Sequence, residues 1–133
     1  MARLLLDFGL LILIWIVQLI IYPSFNYYEK SNLIKWHRQY TVRIGVIVMP
    51  LMIGQIAISL IRIFAIFTFH NFLDLILIIG VWLSTFLQFV PMHKSIENGI
   101  VCEKLKNNLI SFNWIRVVLW TAIFLLNLYV YLR

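Results

Sequence analysis

Residues 75–93 read LILIIGVWLSTFLQFVPMH, an unbroken run of 19 residues without Asp, Glu, Lys or Arg. Three further runs of this kind are 8–28 (FGLLILIWIVQLIIYPSFNYY), 44–61 (IGVIVMPLMIGQIAISLI) and 117–132 (VVLWTAIFLLNLYVYL). A helix needs about 20 apolar residues to cross the hydrocarbon core of a bilayer, where the backbone must satisfy its own hydrogen bonds. The four runs therefore predict an all-α membrane protein, with residues 1–133 forming a single domain that is a four-transmembrane-helix bundle.

The composition excludes most other classes of protein. Hydrophobic residues make up 63% of the 133-residue chain and charged residues only 12%, whereas a soluble domain carries about 25% charged residues. So few charges cannot cover a water-soluble surface, and so apolar a chain is not disordered. Because Cys102 is the only cysteine, an intrachain disulfide is also excluded.

The distribution of basic residues predicts the orientation of the bundle. Four crossings place both termini and residues 62–74 on one side of the membrane. That side carries three of the eleven basic residues and the other side carries eight. Because Lys and Arg concentrate in cytoplasmic loops, we expect a bacterial inner (plasma) membrane protein with both termini outside the cytoplasm. The net charge of +6 then reflects contact with the lipid bilayer, and we expect no nucleic-acid partner.

The segment between the third and fourth runs predicts an additional element. Helix three is expected to stop at Pro91, since proline cannot continue a regular helix. Asn98-Gly99 is typical of a turn. After it, apolar residues recur at about helical spacing, which predicts a short amphipathic cytoplasmic helix between helices three and four. These apolar residues are Val101, Leu105, Leu109 and Phe112.

Uncharged polar side chains inside the apolar runs should face the interior of the bundle. Polar groups that face lipid are costly, so they either join helices or line a cavity. The residues to which these two alternatives apply are Gln18, Gln55, Ser84, Gln88 and Asn127. No carboxylate is expected deep within the membrane, and this expectation excludes a di-iron carboxylate site of the kind found in helical bundles.

Five polar residues from three helices are predicted at one depth near the cytoplasmic side. The two arginines would hold a negative charge, the two histidines would titrate or ligate, and the asparagine would orient the ligand. Both arginines could instead reach lipid headgroups, and a single interfacial histidine is usually just solvated. The predicted ligand-binding residues are His37, Arg43, His93, Asn113 and Arg116.

A metal or haem site is the less favoured use of the same residues. His37 and His93 would be the ligands of a metal or a haem iron. The sequence contains no paired His/Cys motif with metal-ligand spacing, and no arrangement of catalytic residues is legible. Whether the protein is an enzyme, and which residues would be catalytic, therefore stays open.

Several short patterns resemble a family of small bacterial four-helix integral membrane proteins that has no settled function. They are Tyr22-Pro23, Trp36-His37, Arg43, Pro50-x-Met52, Trp82-x-Ser84-Thr85-x-x-Gln88-x-x-Pro91-x-His93, Asn113-Trp114-x-Arg116 and Trp120-Thr121. Many relatives in that family carry an acidic residue where this chain has Gln55, so carboxylate chemistry at that position is not implied. A weaker similarity, to anthrone-oxygenase-like membrane proteins, would imply oxidation of a lipophilic aromatic substrate.

Three functions are compatible with these observations. The leading hypothesis is a small inner-membrane protein whose cytoplasmic-side polar pocket binds an anionic or redox-active lipophilic small molecule, such as a lipid headgroup, a quinone or a haem. The second is a non-catalytic accessory or assembly subunit, forming a homo-oligomer or joining a membrane-complex partner. The third is a membrane enzyme acting on a lipophilic substrate, which would need a cavity of about 300–1,000 Å³ that reaches the histidines.

Overall fold

Four long helices make up the protein, as seen in a computed structural model that describes all residues 1–133. They are α1 (Ala2–Tyr27), α2 (Lys30–Ala65), α3 (Phe69–Glu97) and α4 (Glu103–Leu132). The chain contains no strand, and each helix is long and apolar enough to cross a membrane. The prediction of an all-α chain with four helices of spanning length is confirmed.

The helices run antiparallel and are arranged in a square. α1 and α3 occupy opposite corners, and each contacts both α2 and α4. Both chain termini and the α2–α3 connection meet at one end of the bundle, here called the terminal end, where Arg3 bonds to Asp74 and Arg62 to Asn127. The α1–α2 and α3–α4 connections lie at the opposite end, here called the connection end.

A π-helical turn lies just before a proline in both α1 and α3. Val17–Ile21 precedes Pro23, and Thr85–Phe89 precedes Pro91. Proline lacks an N–H group, and its ring clashes with the carbonyl four residues earlier in a regular helix. A π-helical turn changes the local spacing of the carbonyl groups and lets the helix continue. The expectation that helix three stops at Pro91 is therefore wrong, and α3 extends to Glu97.

The α3–α4 connection is short, and it differs from the sequence prediction in one respect. The turn at Asn98-Gly99 is confirmed: Gly99 has a φ of +82°, which favours glycine. The separate amphipathic helix is not present, because Glu103–Leu132 is one continuous helix. No Pro or Gly interrupts this segment. Its apolar residue Leu109, which is fully buried, belongs to the same interior face as the rest of α4.

An apolar layer separates two polar clusters inside the bundle. Its fully buried side chains come from α1, α3 and α4, and Leu10, Ile78 and Ile123 are examples. On each of these helices, buried polar residues lie both before and after the apolar layer. The fold therefore holds one polar cluster towards the terminal end and another towards the connection end.

Candidate functional site

A chain of hydrogen bonds joins side chains from all four helices near the connection end. Nε2 of His37 lies 2.7 Å from Nδ1 of His93. Nε2 of His93 lies 3.1 Å from the hydroxyl oxygen of Tyr22. Nη2 of Arg116 donates to the same hydroxyl oxygen over 3.1 Å. Residues of α2, α3, α1 and α4 thus form one connected polar cluster.

The guanidinium of Arg116 is fixed on several sides. Its Nε donates to Oδ1 of Asn113 over 2.9 Å, and Asn113 in turn donates to Oε1 of Gln18 over 2.8 Å. Its central carbon lies 3.5 Å from the centre of the Phe89 ring, a cation–π distance. Arg116 is therefore held inside the bundle and does not extend to the headgroup region.

A cavity of about 360 Å³ opens beside this chain of hydrogen bonds. Its walls are mostly apolar and come from all four helices, with Ile14, Met52 and Trp120 among the lining residues. Polar side chains line the cavity towards the connection end. They are Tyr22, Tyr40, Thr41, His93, Lys94, Glu97 and Arg116.

The cavity reaches the outer surface of the bundle between α2 and α3. Gly45 of α2 lines it, and a Cβ atom placed on this glycine would have no other atom within 4 Å. Val90 of α3 also lines the cavity while remaining 46% exposed. A molecule moving along the side of the bundle could therefore enter between these two helices.

One hydroxyl group in the cavity wall has no partner within the protein. Oγ1 of Thr85 is buried and makes no hydrogen bond, and Thr85 lies in the π-helical turn of α3. An unpaired buried hydroxyl is costly. It is therefore available to a polar atom of a ligand.

Four of the five predicted ligand-binding residues come together. His37 contacts His93, and Asn113 contacts Arg116, while Tyr22 joins the two pairs. Arg43 does not join them, because its side chain is exposed on the outside of α2. It lies six residues after His37, about 240° further around the helix at about 100° per residue.

None of the five predicted uncharged polar residues lines the cavity. Gln18 and Gln55 donate hydrogen bonds to other helices, and so does Asn127. Ser84 donates to Gln88 within α3 over 2.8 Å. Gln18, Gln55 and Asn127 therefore join helices, which is one of the two roles considered for this group. Ser84 and Gln88 instead bond to each other within one helix.

Two carboxylates are buried inside the bundle near the terminal end, about one and a half turns from the starts of α1 and α3. Asp7 and Asp74 are 0% and 1% exposed, and Arg3 is 6% exposed. Arg3 donates from Nε to Asp7 over 2.8 Å and from two nitrogens to Asp74 over 2.9 and 2.7 Å. Both aspartates directly precede an apolar run in the sequence. Arg3, four residues before Asp7 in α1, pairs with both aspartates and allows them to be buried.

Further polar groups complete this cluster at the terminal end. Ser59 donates to Asp74 over 2.8 Å, and Gln55 donates to Oδ1 of Asp7 over 2.7 Å. The other oxygen of Asp7, Oδ2, is buried and has no partner. Arg62 donates to Asn127, which itself donates to Asp74. The cluster joins all four helices.

The histidine pair does not fit a metal or haem iron held between the two rings. Two imidazole nitrogens that bind a metal on opposite sides lie about 4 Å apart, since each nitrogen–metal bond is about 2.0–2.1 Å. Nε2 of His37 and Nδ1 of His93 are only 2.7 Å apart. The other nitrogen of His93 is bonded to Tyr22. No group of three or more His, Cys, Asp or Glu side chains is placed to hold a metal ion.

Sequence reasoning missed two aromatic members of the site, Tyr22 and Phe89. Their rings are stacked, with centroids 6.0 Å apart and planes 9° apart. Tyr22 lies four residues after Gln18, so it falls on the same interior face of α1. That spacing could have indicated that Tyr22 belongs to the site. The position of Phe89 depends on the π-helical turn of α3, and no pattern in the sequence predicts it.

These features define a class: an all-helical bundle with four helices of membrane-spanning length and an internal cavity with polar residues at one end. Comparisons with protein-family models, with curated proteins and with solved structures found no match to this chain.

Proposed function

We propose that this chain spans the bacterial inner membrane and binds a lipophilic molecule with an anionic head in the cavity between its four helices. The ligand enters from the hydrocarbon core between α2 and α3, and its head lies beside Arg116. The observation that carries the proposal is the cavity itself, which is apolar at its side opening and polar where Tyr22, His93 and Arg116 meet.

The outer surface of the bundle supports insertion into a membrane. Large apolar side chains are exposed on every helix, for example Leu19 (60%), Ile53 (52%), Leu87 (71%) and Val118 (63%). Continuous apolar surface of this kind is rare on soluble monomers and is normal where lipid is the solvent. The excess of basic residues towards the connection end supports a cytoplasmic location for that end.

The charges around the cavity favour an anionic head. Arg116 and Lys94 both line the cavity, whereas Glu97 is the only acidic residue that does. The Nε and Nη2 atoms of Arg116 are used within the protein, and a guanidinium carries five N–H donors. The N–H groups of Nη1 are thus available to a carboxylate or phosphate oxygen.

The size of the cavity favours a ligand with one hydrocarbon chain. Small-molecule pockets range over about 300–1,000 Å³, and 360 Å³ is near the lower limit. A two-chain phospholipid would have to leave most of its bulk outside the bundle. A fatty acid or a similar single-chain amphiphile can place its head beside Arg116 and its chain along Met52 and Trp120.

The experiment uses 11-bromoundecanoate, whose bromine quenches tryptophan fluorescence on contact. Trp120 lines the cavity, so binding should give saturable quenching in the purified protein. Gly45→Leu places a side chain at the side opening, where its Cβ atom meets no other atom within 4 Å, and should weaken binding at least tenfold. Val46→Leu is the matched control, because Val46 is 70% exposed on the outside of α2. Trp120→Phe should remove most of the saturable quenching.

Two results would overturn this proposal. The first is the absence of saturable quenching in the unmodified protein. The second is equal affinity in the Gly45→Leu and Val46→Leu variants, which would mean that the fatty acid associates with the outside of the bundle.

An enzyme acting on a lipophilic substrate is the second candidate. It is supported by one observation: the cavity exceeds the lower limit of about 300 Å³ for substrate pockets and is lined by His93 and Tyr22, two groups able to transfer protons. Chemical change of a bound lipophilic acid, detected by mass spectrometry after incubation with the protein, would favour this function. Recovery of the unchanged acid would favour binding alone.

A further inference from the structure

The hydrogen bonds between Arg116, Tyr22 and His93 have a direction that the chemistry of the groups determines. A guanidinium only donates hydrogen bonds, so the hydroxyl oxygen of Tyr22 accepts from Nη2 of Arg116. The hydroxyl hydrogen of Tyr22 then needs an acceptor, and Nε2 of His93 lies 3.1 Å away. Tyr22 therefore donates to Nε2 of His93.

The direction continues through the two histidines. Because Nε2 of His93 accepts, the ring carries its hydrogen on Nδ1 and donates it to Nε2 of His37 over 2.7 Å. A neutral His37 then carries its own hydrogen on Nδ1. That atom is buried and has no partner. These tautomers are assigned from the hydrogen-bond network. In this assignment the series of hydrogen bonds ends at the Nδ1–H group of His37, which has no acceptor.

The opposite direction is less favourable. If His93 donated from Nε2, the hydroxyl hydrogen of Tyr22 would have no acceptor, although this side chain is only 2% exposed. Nδ1 of His37 would still lack a partner. The reversed chain therefore leaves two buried groups unpaired in place of one, and each unpaired group costs free energy.

We propose that Tyr22, His93 and His37 form a directed proton relay from the cavity towards the connection end, and that the ligand is a lipophilic weak acid that loses its proton to this relay. The second part rests on the function proposed above. It narrows the ligand from any anionic amphiphile to one that arrives protonated and is held as its anion.

Each step of the relay moves one proton. The acid transfers its proton to the hydroxyl oxygen of Tyr22, and Tyr22 transfers its own proton to Nε2 of His93. His93 then gives the proton on Nδ1 to Nε2 of His37, which becomes an imidazolium. His37 releases the proton on Nδ1 to a water molecule, which must reach this buried atom from the connection end. One proton leaves the acid, one leaves His37, and the anion remains beside Arg116.

His37 is the last member of the relay, and it is fully buried. It lies about two turns from the start of α2 at Lys30 and beneath the short helical turn Phe25–Tyr27, with the Phe25 ring edge-on at 5.8 Å. Thr41 donates both to the backbone oxygen of His37 and to Glu97 of α3. Glu97, which also lines the cavity, is thus linked to His37 through Thr41.

The charges along the relay favour movement towards His37. Arg116 of α4 contacts Tyr22 at the cavity end, and Lys94 of α3 lines the same cavity. An additional positive charge is repelled by these two cations. It is attracted by Glu97, which also lines the cavity and accepts a hydrogen bond from Thr41, one turn after His37 on α2.

The direction can be tested without any ligand. In protein labelled with ¹⁵N-histidine and placed in lipid nanodiscs, NMR should show His93 and His37 both protonated on Nδ1 and not on Nε2. Tyr22→Phe keeps the ring but removes the hydroxyl group, and should shift His93 towards the form protonated on Nε2. His70, near the terminal end, is an internal control and should not change. A wild-type His93 protonated on Nε2, or no change in Tyr22→Phe, would overturn the relay.

The second arm uses undecanoic acid as the probe. Its binding should move the proton of His37 from Nδ1 to Nε2. At a pH at which the free acid is mainly protonated, binding should also release about one proton per bound acid, measured by calorimetry in two buffers that differ in ionisation enthalpy. Binding without this reversal would overturn the relay and leave the binding function intact. If both histidines are protonated on Nδ1 as predicted but the protein binds no acid, the proposed binding function would be overturned, whereas the hydrogen-bond direction of the relay would stand.

Discussion

Arg3 and Asp74 are 71 residues apart in the chain, yet they form a two-pronged ion pair inside the bundle. Nη1 of Arg3 lies 2.9 Å from Oδ2 of Asp74, and Nη2 lies 2.7 Å from Oδ1. The pair joins α1 to α3, which occupy opposite corners of the square and have few other contacts. The contribution of this ion pair to the free energy of unfolding can be measured directly.

Asp74→Asn should destabilise the protein by about 1.5–3 kcal/mol, because it weakens the two charge-assisted hydrogen bonds from Arg3 and leaves Asp7 as its only carboxylate partner. The measurement is the free energy of unfolding in mixed micelles. Glu103→Gln is the control: Glu103 pairs with Lys106, but its side chain is 77% exposed. An exposed pair contributes only about 0–1 kcal/mol. Equal effects of the two substitutions would contradict the structural role of the buried pair.

Asp7→Asn should cost less than Asp74→Asn. Oδ2 of Asp7 has no partner, whereas both oxygens of Asp74 accept hydrogen bonds, from Arg3, Ser59 and Asn127. In addition, Arg3 retains Asp74 when Asp7 is neutralised. We expect a loss of about 1 kcal/mol or less, since a typical net hydrogen bond is worth about 0.5–1.5 kcal/mol. The same unfolding measurement compares the two variants. A larger loss of stability in Asp7→Asn than in Asp74→Asn would be evidence that Asp7 is the more important partner of Arg3.

Asn113→Leu should weaken binding of 11-bromoundecanoate about tenfold, because it removes the acceptor that orients Arg116. A tenfold change corresponds to about 1.4 kcal/mol, close to one hydrogen bond to a charged group. The control is Arg43→Ala, which removes a cation that is exposed on the outer surface and should leave affinity unchanged. If Arg43→Ala had the larger effect, the acid would be held by surface charge and not by the cavity.

Cys102 offers a test of orientation. It is exposed in the α3–α4 connection and is the only cysteine of the chain. If the connection end faces the cytoplasm, a membrane-impermeant maleimide added to intact spheroplasts should not label it, and should do so after lysis. In a Cys102→Ser background, Arg133→Cys should react in intact spheroplasts. Labelling of Cys102 in intact spheroplasts would reverse the proposed topology.

The sequence predicts the four helices well because their length and apolarity follow from the requirements of the hydrocarbon core. It predicts helix ends less well where a proline is involved. Pro91 is compatible with a helix end, and only the π-helical turn at Thr85–Phe89 makes continuation to Glu97 possible. Such a turn depends on tertiary packing and leaves no clear pattern in one sequence.

Helical periodicity predicts the members of the candidate site whose depth and direction follow from their position along a regular helix. His37, His93 and Arg116 share a depth and an interior direction, and the structure brings them together with Tyr22. Arg43 shares the depth but not the direction. Asp7 lies eleven residues before Gln18, so helical periodicity puts both on one face of α1. Its contact with Gln55 of α2 depends on tertiary packing and could not be deduced from the sequence.

The π-helical turns at Val17–Ile21 and Thr85–Phe89 lie immediately before or around the two stacked rings, Tyr22 and Phe89. Each turn accommodates one residue more than a regular helix would hold over the same rise. Deleting a single residue from either turn would regularise that helix and rotate the following segment by about 100°. The ring after the deletion would then swing away from its partner, so the geometry of the whole polar cluster depends on two one-residue insertions.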